Sequence, residues 1–225
     1  MLFRDRVEAG QKLAQTLKIY ANCQDVIVIG LPRGGVPVAF EVAQALNLQL
    51  DVFLVRKLGV PGQEEFAMGA IADGDVRLLN QKVIEDLHIS SEAIARTATR
   101  EQRELERRKY LYRGGRPPLN VRDRTVILVD DGLATGMTMQ AAAVAIRNQQ
   151  PKQIIAAVPV SAPEICDKLQ VEVDKIVCVE TPKPFIAVGV WYRSFSQTTD
   201  ERVQNLLQRA AEEKLQLGNK LSKSC

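Results

Sequence analysis

Apolar and polar positions along this chain alternate between two periods. Short apolar runs, bounded by Gly, Pro or charged residues, predict buried strands at 26–29, 52–55, 126–129, 154–160 and 175–179. Between them the repeat lengthens to that of amphipathic helices. Over 2–20, Phe3, Val7, Leu13, Leu17 and Tyr20 share one face. Further helices are expected at 36–46, 139–146, 163–169 and 198–215, the last with Thr198 and Glu201 at capping-box spacing. A long charged helix over 91–112 is broken by Arg113-Gly114-Gly115-Arg116-Pro117-Pro118. Residues 66–71 and 76–79 flank Asp73-Gly74-Asp75 and predict a hairpin.

This alternation predicts an α/β fold: a doubly wound, mainly parallel five-stranded sheet, with a small hood or hairpin and one extra long helix. A single domain is expected over 1–217, with its core at about 25–190 and the terminal helices packed on it. Residues 218–225 are expected to form a disordered tail. Ligands of such sheets sit at the carboxyl ends of the strands.

Composition narrows the chemistry. The 225 residues are ample for a core, and a formal charge of +3 is too mild to argue for nucleic acid. No apolar run is long enough to span a membrane, and the opening residues lack a signal peptide's apolar segment, so a cytoplasmic protein is expected. Cys23, Cys166, Cys178 and Cys225 are scattered and read as reduced thiols rather than a disulfide frame or zinc site. His88 is the only histidine, which excludes a histidine-rich metal site, and no protein metal cage is expected.

The most specific stretch follows the strand at 126–129. Asp130 and Asp131 stand at its carboxyl end, Gly132-Leu133-Ala134-Thr135-Gly136-Met137-Thr138 follows, and a helix begins. The free N–H groups and dipole of a helix start suit a phosphate, the threonine hydroxyls can add hydrogen bonds, and two carboxylates can accept bonds from vicinal hydroxyls. This run resembles the phosphoribosyl pyrophosphate signature of the type I phosphoribosyltransferases. The opening Phe3-Arg4-Asp5-Arg6, the Pro32-Arg33-Gly34-Gly35 loop and the long helix before the signature look like a distinct branch of that family.

The resemblance implies transfer of ribose 5-phosphate from phosphoribosyl pyrophosphate to a nitrogen nucleophile, a small-molecule acceptor such as a nucleobase, with release of pyrophosphate. It implies that Asp130 and Asp131 hold the ribose hydroxyls and that Ala134, Thr135, Gly136, Met137 and Thr138 wrap the 5-phosphate. Arg33, Gly34 and Gly35 would form the pyrophosphate loop, helped by Arg56 and Lys57. If both residues of that basic pair are extended they point to opposite sides, so one alone would face the pyrophosphate. Mg2+ would be held mainly through the donor's oxygens. A lid would start at 62–66, with Glu64 or Glu65 as acid or base toward the acceptor, Glu65 foremost. Phe185, Trp191 or Tyr192 would stack on a flat base, Phe185 and Trp191 foremost; the alternative for these rings is a place in the core beside the last helix. Ala134 stands where hypoxanthine-guanine enzymes carry Asp, as in adenine-type enzymes. Purine salvage is the nearest metabolic setting, and a homodimer is the default assembly.

A rival reading is a non-catalytic sensor of phosphoribosyl pyrophosphate that controls RNA or a protein partner. The arginines at 96–116 keep it open, although pairs such as Glu104 and Arg108 have the spacing of a solvated, ion-paired helix.

Overall fold

The computed structural model describes residues 2–115, 117–118 and 120–222, with side chains described except at Glu65 and 215–222. In chain order the elements are α1 (Arg6–Thr16), β1 (Val26–Gly30), α2 (Gly35–Leu46), β2 (Gln49–Val52), β3 (Val55–Val60), β4 (Gln63–Ala72), β5 (Val76–Leu79), α3 (Gln81–Asp86), α4 (Ser91–Arg113), β6 (Thr125–Val129), α5 (Met137–Arg147), β7 (Gln153–Val160), α6 (Pro163–Leu169), β8 (Lys175–Glu180) and α7 (Asp200–Ser222).

The expected five-stranded parallel sheet is present, in the order β2-β1-β6-β7-β8. β1, β6 and most of β7 are apolar on both faces because each face carries a helical layer. Val28, Ile127 and Ile155 pack with Leu13 and Leu17 at the α1 end and with Val38 and Val42 of α2. Ile27, Val126, Leu128 and Ile154 pack on the other side with Met139, Ala142 and Ile146 of α5. The helices also approach each other closely: a Cβ on Gly10 of α1 would lie 2.7 Å from the Cβ of Glu41 in α2.

The second strand differs from expectation. Residues 52–55 are a crossing between two sheets, not one strand. β2 ends at Val52, and Val55 opens a separate antiparallel sheet, β3-β4-β5. The run is continuously apolar because it passes between two cores: Val52 and Leu54 pack with Leu58, Met68 and Leu206, whereas Phe53 and Val55 join the core under α5. The hairpin at residues 73–75 forms as expected, and a further tight turn at Gly62, with φ +80°, joins β3 to β4. α3, capped by the Asn80 side chain, was not foreseen.

Helix ends explain the remaining differences. α1 starts at Arg6, capped by Asp5, because Phe3 is held in a bridge to Tyr192. α7 is capped by Thr199, whose Oγ1 accepts from Arg202 N at 3.1 Å, so the expected box at Thr198 does not form. α7 runs through Ser222 and covers part of the segment expected as a tail; residues 223–225 lie outside the described residues. No helix among the described residues is long and apolar enough to cross a membrane.

Candidate active site

β1 and β6 are adjacent and parallel, so the loops after them open side by side. They line one cleft of about 530 Å3, shared with Arg6, Lys57, Val188, Phe195, Gln197 and Thr198. Asp130 and Asp131 line it, together with Ala134, Thr135, Gly136, Met137 and Thr138. Gly136, at φ +74°, turns the chain into α5 and caps it without a side-chain bond. The first amides of α5 are therefore left without a side-chain acceptor, at a helix end that favours an anion.

The acidic pair is tightly enclosed. Asp131 N donates to Asp130 Oδ1 at 2.8 Å, and the Arg6 guanidinium meets Asp131 Oδ2 through Nε and Nη2, each at 2.8 Å. Burial pushes the Asp130 carboxyl well above the usual carboxylate range, and the charge of Asp131 adds to this. Burial also raises Asp131, against the opposing charge and hydrogen bond of Arg6. Tyr192 Oη donates to the backbone carbonyl of Asp131 at 2.5 Å.

Gly34 and Gly35 serve the pair directly. A Cβ on Gly34 would lie 2.7 Å from Asp131 Cγ, and one on Gly35 would lie 2.6 Å from the carbonyl oxygen of Val129. The glycines let the loop after β1 lie on the acids. The amide of Gly35 donates to Leu31 O at 3.0 Å, so it is engaged within the loop rather than offered to an anion. The peptide between Pro32 and Arg33 is cis.

The basic pair separates as β-strand geometry requires. Lys57 lines the cleft, whereas Arg56 turns away and pairs with Glu101 of α4, Nε to Oε2 at 2.9 Å. Arg56 is thus outside the site in which the resemblance placed it. Arg33 lines the cleft and lies 3.7 Å from Asp200 at the start of α7. Asp200 also accepts from Tyr112 Oη at 2.6 Å and Arg107 Nη2 at 2.9 Å. Burial alone would raise its carboxyl, but these bonds hold it below the usual range.

Phe185 and Trp191 do not line the cleft. They pack with Phe3, Val160 and Tyr192 in a small apolar cluster, because the chain returns there to meet the N-terminal segment: Phe3 N donates to Trp191 O at 2.8 Å. The aromatic ring on the cleft is Phe195, 36% exposed, with the Arg6 guanidinium 4.0 Å over it. Glu65 lies in β4, and its side chain falls outside the described residues. Sequence reasoning missed Arg6, Val188, Phe195, Gln197 and Thr198. Arg6 had one signal, its place in the opening motif; Val188, Phe195 and Gln197 lie in a segment without regular periodicity, and the spacing at Thr198 pointed to a helix cap.

The long helix α4 carries a ladder of ion pairs. Arg108 Nε meets Glu104 Oε1 at 2.7 Å, Arg107 Nε meets Glu104 Oε2 at 2.7 Å, and Arg100 pairs with Glu101 and Glu64. These bonds hold Glu104 at about 2, with the Arg107 hydrogen bond the leading cause.

Residues 4–192 match the sequence model of the phosphoribosyl transferase domain. The chain belongs to the phosphoribosyl transferase family. Two relatives from Mycobacterium tuberculosis, strains H37Rv and CDC 1551, provisionally named phosphoribosyl transferases, are each 44% identical over 209 residues. The match takes in 93% of this chain and 47% of each relative, so the chain spans about half the length of the curated relatives it matches. The crystal structure of TT1426 from Thermus thermophilus is similar at 40% identity and a TM-score of 0.75, covering 92% of this chain and 98% of that one. The parallel sheet and small antiparallel sheet are thus the fold of a phosphoribosyl transferase domain.

Proposed function

We propose that this cleft transfers ribose 5-phosphate from phosphoribosyl pyrophosphate to a ring nitrogen of a nucleobase. The bond from the sugar's anomeric carbon to pyrophosphate breaks, a carbon–nitrogen bond forms, and the nucleophile's proton leaves. The observation that carries the reading is the start of α5, without a side-chain cap, beside a buried acid pair in one cleft. In the reading, residues 134–138 hold the 5-phosphate, and Asp130 and Asp131 hold the ribose hydroxyls. Arg33, Lys57 and the Gly34 turn face the pyrophosphate; Gly35 shapes that turn, and Arg56 has no part in it. Phe195 and Val188 border the acceptor, in place of Phe185 and Trp191. Glu65 keeps the acid–base role that the resemblance implies, open to test by Glu65→Gln.

Among the described residues no cluster of three or more His, Cys, Asp or Glu is placed to hold a metal ion. Two adjacent carboxylates fit a Mg2+ ion that takes most of its oxygens from the donor. Bound in that way it would neutralise charge on the leaving pyrophosphate. The protein's own contribution is placement and electrostatic complementarity. The engagement of Arg100, Arg107 and Arg108 with acids favours this reading over a nucleic-acid sensor.

The test is pyrophosphate release from phosphoribosyl pyrophosphate and Mg2+ with a panel of nucleobases. Release with at least one base, lost in Asp130→Asn/Asp131→Asn while circular dichroism stays unchanged, is expected. Release that survives in the double variant would show the assignment to be wrong.

A further inference from the structure

Cys166 and Cys178 are twelve positions apart and in no recognised motif, yet their sulfur atoms stand 3.2 Å apart. Cys166 is on α6, and Cys178 is on β8 at the edge of the main sheet. Both are free thiols and both are half-buried. A disulfide needs about 2.05 Å between sulfurs, roughly 1.1 Å less, which side-chain rotation and a small shift of a seven-residue helix can supply. α6 is also attached to the cleft. Ile165, next to Cys166, packs its methyl on Gly136: a Cβ there would meet it at 2.8 Å, with Leu169 behind at 3.6 Å. One face of α6 therefore supports the turn that starts α5, and Cys166 ties the same helix to β8.

We propose that Cys166 and Cys178 form a thiol–disulfide exchange site, in which a low-molecular-weight disulfide oxidises the pair and draws α6 off the Gly136 turn. The coupling to donor binding rests on the assignment of residues 134–138 to the 5-phosphate; the exchange site does not. Burial pushes the Cys178 thiol up, which leaves Cys166 as the first attacker. The Cys166 thiolate attacks one sulfur of the small disulfide and expels one small thiol. The Cys178 sulfur then displaces the second. Two protein thiols are oxidised, one small disulfide is reduced to two thiols, and the two protons leave on those thiols. A dithiol reductant reverses both steps.

The experiment uses the full chain with Cys23→Ser and Cys225→Ser, which leaves this pair alone. With glutathione disulfide, both free thiols should disappear and the mass should fall by two hydrogens, without a glutathione adduct. A further Cys178→Ser should instead trap glutathione on Cys166. In the oxidised form, amide exchange at 136–139 should quicken and phosphoribosyl pyrophosphate should bind about fivefold more weakly, at the low end of couplings between sites. Dithiothreitol should restore both. Two thiols that stay free would overturn the site. A bond that forms without changing exchange or affinity would overturn the coupling. If the reduced protein binds no donor but exchange at 136–139 still responds, the donor assignment fails and the redox site stands.

Discussion

Replacing Arg6 with Ala removes the cation that faces Asp131 in the cleft. The guanidinium donates twice to Asp131 Oδ2 at 2.8 Å, once to Ser196 O at 2.7 Å, and lies 4.0 Å over Phe195. The two side chains are 12% and 14% exposed. Breaking one partner of a buried pair costs about 3–5 kcal/mol, and the residual exposure places this pair at the lower end, about 3 kcal/mol. That is a loss of roughly 150-fold in the folded-to-unfolded ratio. Of this, about 2 kcal/mol belongs to the pairing with Asp131 and the rest to Ser196 and Phe195. The pairing part depends on pH. Both acids are raised in the folded state, so the folded chain holds protons that the unfolded chain has released. Stability therefore falls as pH rises through the raised values. Arg6 opposes that shift at Asp131, and without it the fall extends to higher pH. The cost of Arg6→Ala should be smallest at low pH, once Asp131 has taken up its proton, and should grow as pH rises through the raised value of that carboxyl. Urea unfolding followed by circular dichroism, in wild type and in an Asp131→Asn background, isolates the pairing. A coupling under about 0.5 kcal/mol at pH 8, or one that does not change with pH, would overturn this assignment of charge in the cleft.

Other substitutions separate the parts of the cleft. Gly34→Ala drives a methyl group onto Asp131 and should lower the unfolding midpoint by an overpacking cost of about 1–3 kcal/mol, read by thermal melting, and abolish tight donor binding. Lys57→Ala should weaken pyrophosphate binding at least about tenfold by calorimetry, the equivalent of one charge-assisted contact, whereas Arg56→Ala should leave it within about twofold. Phe195→Ala should raise the acceptor's KM, whereas Phe185→Ala and Trp191→Ala, at partly buried positions, should lower stability by about 1–2 kcal/mol and leave KM alone. Thr199→Ala removes the cap of α7 and should cost about 1 kcal/mol in urea unfolding, with no change in turnover.

Much of the fold was legible because its central strands are sealed on both sides and read as unbroken apolar runs. The signature turn was legible for a related reason: acids, threonines and Gly136 follow such a run in order, so placement needs only local chain geometry. The run at 52–55 misled because the same composition serves a crossing between two cores. Arg56 and Lys57 were separable in principle, since neighbours in a strand face opposite ways, but only Glu101 on α4 decides which of them faces the cleft. Arg6 and Phe195 are far apart in the chain and meet because residues 3–6 are bonded to residues 191–196. No local pattern encodes that meeting. The aromatic residues at 185 and 191 fitted either a base-stacking or a core role, because irregular segments carry no burial period; tertiary packing places them against the cluster of Phe3, Val160 and Tyr192. The nearness of Cys166 and Cys178 is likewise a product of helix on sheet, not of spacing.

Whether the cleft is a donor site is decided by calorimetry of phosphoribosyl pyrophosphate binding, with and without Mg2+, to the wild-type chain and to Asp130→Asn/Asp131→Asn. Mg2+-dependent binding is expected, tighter than that of ribose 5-phosphate, and the double variant should lose it while remaining folded. Equal binding by the variant, or no binding by the wild type, would contradict the assignment.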